Sequence, residues 1–88
     1  MAEPLKEQVF KIIQITIANE TGIKPERITK KTNFMSRHGL PYFDCINVLF
    51  TLQQELHIIL PESNYCNYPT VGSLKRQIIK QLPKDRQK

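Results

Sequence analysis

Cysteine, histidine and glycine are scarce in this 88-residue chain, which has 2 Cys, 2 His and 3 Gly and no tryptophan. Neither Cys45 nor Cys66 has a second cysteine or a histidine at metal-ligand spacing. His38 and His57 also stand alone, so no metal site is expected. Two cysteines make no disulfide framework. Two free thiols are the expectation, with a Cys45–Cys66 disulfide as the alternative. No Gly-rich phosphate loop is visible, no Ser/His/Asp or Cys/His set, and no carboxylate pair near a histidine, so an enzyme is not expected. No apolar run approaches the roughly 20 residues that cross a bilayer. The segment Met1–Lys6 has no charged-then-apolar signal layout. The expectation is a cytoplasmic protein without a membrane span.

Interleaved apolar and polar residues, 40% of them apolar, indicate a folded chain. Its length allows one core. The expected organisation is a helical domain over residues 1–83 and a basic polar tail over 84–88. Lys and Arg number 13 against 8 acids, for a net charge of +5. The excess gathers at Lys24, Arg27, Lys30 and Lys31, and again from Lys75 to Lys88. Such a balance favours anionic partners. A solvated basic surface also accounts for it. The basic residues have no aromatic interleaving and no recognition motif, so no specific nucleic acid is expected.

Apolar spacing predicts a first helix from about Pro4 to Asn19, with Leu5, Val9, Ile12, Ile13 and Ile17 on one face. Pro4 is placed in its first turn, and Gly22 closes it. Phe10 and Ile15 widen the apolar arc, as in a helix embedded in a bundle. A long connection follows from Ile23 to Leu40, with a short helical turn at Pro25–Ile28; Ile28 and Phe34 are the residues able to tack it to the core. A second helix is predicted from Tyr42 to Leu56. Cys45, Val48, Leu49, Leu52 and Leu56 form its inward stripe, and Phe43, Ile46 and Phe50 a second, offset stripe. Pro61 breaks the chain, a short helix is expected at Glu62–Asn67, and Thr70 is the N-cap of a last helix ending near Leu82. Its inward face is Val71, Leu74, Ile78 and Leu82. No segment sustains period-two alternation, so the fold class is all-α.

Several segments together resemble the acyl carrier protein family. Gly22-Ile23-Lys24-Pro25-Glu26-Arg27-Ile28 looks like the stretch after that family's first helix. Phe34 and Gly39 look like its loop ahead of helix two. Leu52-Gln53-Gln54-Glu55-Leu56 resembles its Leu-Glu-Glu-Glu-Phe, Leu60-Pro61 its Ile-Pro, and Thr70-Val71 its Thr-Val. The match runs from Gly22 to Val71 without a gap. It implies a bundle of three main helices plus one short one, and a setting related to fatty acid or polyketide biosynthesis.

The family's Asp-Ser-Leu, whose serine carries phosphopantetheine, is replaced in this register by Pro41-Tyr42-Phe43. The resemblance therefore implies a member without its attachment site and without a cofactor. Ser36 as an alternative site would break the register at Gly39, Leu52 and Pro61. Ser63 and Ser73 fall near later helix starts, where capping accounts for them. Positions commonly acidic on the family's second helix are Asn47, Gln53 and Gln54 here, while Asp44 and Glu55 remain. Weak steering toward basic enzymes follows.

Two readings of Phe43, Ile46 and Phe50 remain open: a binding face, or a stripe buried by the long loop. The expected function is a monomeric, non-enzymatic interaction module that docks a protein partner through Tyr42, Phe43, Ile46, Asn47 and Phe50. The alternative is a functional acyl or peptidyl carrier modified at another residue; only that reading needs phosphopantetheine.

Overall fold

The computed structural model describes residues 4–82. The Lys84–Lys88 tail, the boundary at residue 83 and residues 1–3 lie outside the described residues. The protein is all-α: α1 is Leu5–Thr21, α2 Tyr42–Leu56 and α3 Val71–Gln81, with 3-10 turns at Pro25–Arg27 and Glu62–Asn67. α1 packs against both α2 and α3.

α1 begins one residue later and ends two residues later than its apolar spacing predicts. Pro4 is the N-cap rather than a first-turn residue. Its carbonyl accepts from Glu7 N at 3.0 Å and Gln8 N at 3.1 Å. At the other end Thr21 Oγ1 donates to Ile17 O at 2.7 Å and accepts from Ile23 N at 3.1 Å. That hydroxyl carries the helix to Gly22, which takes φ 82 and donates to Ala18 O, the left-handed closure that glycine adopts without Cβ strain. Val9, Ile13, Thr16 and Ile17 are buried. The expectation that Ile15 embeds the helix is corrected: Ile15 is 55% exposed. Phe10 is half-buried, with Lys30 Nζ 5.7 Å above its ring.

α2 occupies its predicted span. Cys45, Val48, Leu49 and Leu52 face the core and Leu56 lies at its edge. No glycine ends this helix; His57 takes the left-handed conformation instead, at φ 55. Two glutamines hold the chain beyond it. Gln53 Oε1 accepts Leu60 N at 3.0 Å. Gln81 of α3 brackets Ile59, its Oε1 accepting Ile59 N at 2.9 Å and its Nε2 donating to Ile59 O. Ile58 and Leu60 are thereby held in the core while Ile59 points outward.

Thr70 is the N-cap of α3, its side chain accepting from Ser73 N. The capping role read for Ser73 is corrected: Ser73 supplies the capped amide. Ser63 caps no helix either, since it lies within the 3-10 turn that follows Pro61.

The long first connection is part of the core. Ile28 and Phe34 are buried as expected, at 1% and 0% exposure, and Met35 joins them. Asn33 and Thr70 form an antiparallel bridge. Phe34 N donates to Pro69 O at 2.8 Å and Met35 N to Tyr68 O at 2.9 Å, while Val71 N and Gly72 N donate back to Thr32 O and Lys30 O, both at 2.9 Å. Among the described residues this bridge is the β-type pairing, and no strand forms.

Candidate functional site

The N-terminal end of α2 and the loop ahead of it surround a hollow of about 410 Å³. Met35, Leu40 and Cys45 supply apolar wall, and Tyr42 and Tyr65 stand at its side. Ser36 and Arg37 contribute the polar edge. Gly39 shapes this loop. Its N–H donates to Ser36 O at 2.9 Å, and the next amide, Leu40 N, donates to Phe34 O at 3.0 Å.

Two groups of chemical interest line the hollow, and both are held protonated. The Tyr42 hydroxyl donates to Glu62 Oε2 at 2.7 Å. That bond, with some burial and the Glu62 charge, raises the phenol above its ordinary range. A phenolate would lose the bond and face the carboxylate. Cys45 Sγ donates to Phe34 O at 3.3 Å and lies 3.7 Å from Leu40 O. Burial, with help from Asp44, pushes this thiol up to about 11. Neither group is a nucleophile near neutral pH. Cys66 is free and exposed. Among the described residues no group of three His, Cys, Asp or Glu side chains converges as a metal site.

The remaining residues expected on the second-helix face are divided by the fold. Phe43 is 78% exposed, Phe50 57% and Tyr42 58%; Phe43 and Phe50 share one side of α2, seven residues apart. The loop therefore does not bury these rings. Ile46 is half-buried and packs against the core. Tyr42 and Phe43 meet edge-to-face, with ring centroids 6.0 Å apart and planes at 70°. Asn47 lies on the same side of α2 as the two rings, four residues after Phe43, but is tied to α1, its Nδ2 donating to Glu20 Oε1 at 2.8 Å. Gln53 is likewise engaged with Leu60 rather than presented outward.

No family model and no solved structure matches this chain. Spacing in the sequence does not point to Glu62 and Tyr65 as site residues. Their position beside Tyr42 depends on how the chain turns after Pro61, and no local pattern encodes that turn. Among the described residues, no helix is long and apolar enough to cross a membrane.

Proposed function

We propose that this protein is an acyl-carrier-like interaction module that carries no prosthetic group and docks a protein partner through α2. One observation carries the reading: Phe43 and Phe50 stand exposed on a single side of α2, with Tyr42 at the edge. Core packing already has its share of this helix in Cys45, Val48, Leu49 and Leu52. Exposed aromatic rings on one helix face form a typical anchor for a partner's apolar groove. Two such rings supply roughly 1.5–3 kcal/mol each when fully buried, before association costs are subtracted. Asp44 lies beside Phe43, and Glu62 and Glu20 are tied to Tyr42 and Asn47, so the attraction comes mainly from the apolar rings. The tie between Tyr42 and Glu62 supports the absence of a carrier function, since the side chain in the family's serine position is a hydrogen-bonded phenol.

Two measurements test the proposal. After incubation with coenzyme A and a broad-specificity phosphopantetheinyl transferase, the intact mass should stay unchanged; a phosphopantetheine adduct on any residue, Ser36 included, would establish the carrier reading instead. Affinity purification from cells should then retain one partner in near-stoichiometric amount, and the Phe43→Ser/Phe50→Ser variant should lose it while keeping its unfolding midpoint. A monomer is expected when the protein is isolated, so concentration-dependent sedimentation abolished by the same variant would mean that the face pairs with itself.

A further inference from the structure

Lys6, Lys30, Lys75, Arg76 and Lys80 surround a second hollow, of about 460 Å³. They come from three separate stretches: the start of α1, the turn before Asn33, and α3. Among the described residues Glu7 is the acid that meets them, at 3.7 Å from Lys30 Nζ. Lys75 is half-buried, and its ammonium is held below the usual lysine range. Burial is the main cause, followed by the neighbouring Lys30 charge and then Lys6, with Glu7 acting in the opposite direction. The fold thus gathers like charges in a concave place, and among the described residues there is too little counter-charge to balance them.

The hollow has a small floor. Gly72 lies so close to the Lys30 carbonyl that a Cβ on it would come within 3.0 Å of the oxygen. The amides at the start of α3 are already engaged, Val71 and Gly72 with loop carbonyls and Ser73 with Thr70 Oγ1. Recognition here would therefore come from ammonium and guanidinium side chains. Among the described residues, five cations meet one acid there, more than a single carboxylate neutralises. A group with several oxygens and at least two charges fits such a set, and Arg76 adds a planar fork suited to phosphate. No aromatic side chain lines the hollow, so the stacking platform of a single-strand nucleic-acid surface is missing among the described residues.

We propose that this hollow binds a phosphate-bearing anion of two or more charges, either a soluble diphosphate or the phosphorylated headgroup of a lipid. The test uses the full chain, isotopically labelled, titrated with inorganic pyrophosphate and followed by amide NMR. Saturable shifts are expected at Lys6, Lys30, Gly72, Lys75 and Arg76, weakening as salt is raised. Lys75→Gln/Arg76→Gln should weaken binding at least about tenfold, the loss expected for charge-assisted hydrogen bonds. Lys31→Gln, which lies outside the hollow, should change it less than about twofold. Both variants should keep the wild-type spectrum elsewhere. Phosphatidylcholine vesicles with and without phosphatidylinositol bisphosphate distinguish the sources: co-sedimentation only with the phosphorylated lipid assigns a headgroup, and pyrophosphate binding without it assigns a soluble anion. Absence of saturation, shifts spread over Lys11, Lys24 and Lys31, or an unaffected double variant would overturn the proposal. So would tighter binding of arbitrary duplex DNA through the same residues, which would make the cluster a polyanion surface.

Discussion

Gly39 lies directly against the main-chain carbonyl of Phe34: a Cβ built on the glycine would stand 2.7 Å from the carbonyl carbon. The same carbonyl oxygen accepts Leu40 N and Cys45 Sγ, so loop, helix start and buried thiol share one anchor. Backbone cannot swing aside as a side chain can. Gly39→Ala is expected to destabilise the protein by about 1–3 kcal/mol or more, read as a lower urea midpoint. An unchanged midpoint would mean that the loop re-forms without this approach.

Three of the four phenylalanines should divide sharply. Phe34→Ala removes a fully buried ring and is expected to cost about 3–5 kcal/mol. Phe43→Ala and Phe50→Ala remove exposed rings and should each stay within about 0.5 kcal/mol of wild type. Equilibrium unfolding of the three variants checks the contrast. A core-sized loss at Phe50 would refute the docking face.

Thiol chemistry offers an independent check. Cys66 is exposed and Cys45 buried, so a thiol reagent at neutral pH should label one site per folded chain and two in denaturant. The raised Cys45 value also sets a direction for stability. The unfolded thiol ionises near 9 and the folded one near 11. Between those values the unfolded state holds fewer protons, so this group's contribution is intact below about 9 and declines as pH rises toward 11. Cys45→Ala should flatten that decline in a pH series of unfolding midpoints.

Thr70 combines a cap with a bridge. Its Oγ1 accepts Ser73 N at 3.2 Å, and its backbone pairs with Asn33. Thr70→Ala should cost about 0.5–2 kcal/mol, and Thr70→Ser or Thr70→Asp should recover most of it. Thermal unfolding of the set separates the cap from the bridge, because all three substitutions leave the backbone pairing possible.

The helices were legible because three- and four-residue spacing directly encodes which side of each is buried. α2 and its inward stripe, the Thr70 cap, and the anchors Ile28 and Phe34 all followed from that spacing or from local chemistry. Other features arise from encounters between distant segments. Ile15 belongs to an apolar pattern yet stays more than half exposed, and Thr16 is buried with its hydroxyl satisfied by Ile12 O at 2.7 Å. Gln53, which looks like a neutralised surface acid, serves Leu60. The hollow beside Tyr42 depends on Tyr65 and the Tyr42 hydrogen bond on Glu62, both brought there by a turn that periodicity does not specify. That Tyr42 stands where a carrier's serine would be is an expectation resting on the resemblance alone.

The reciprocal bonds between the first loop and the entrance to α3 carry a consequence for cooperativity. Phe34 and Met35 donate to Pro69 and Tyr68, while Val71 and Gly72 donate to Thr32 and Lys30. Neither segment can release its amides to solvent without the other. These four amides should therefore exchange hydrogen for deuterium as one group, with a shared opening free energy close to that of global unfolding. Fraying of α1 and of the C-terminal end of α3 should leave them protected, which would make this small seam a kinetic clasp between the middle of the chain and its last helix.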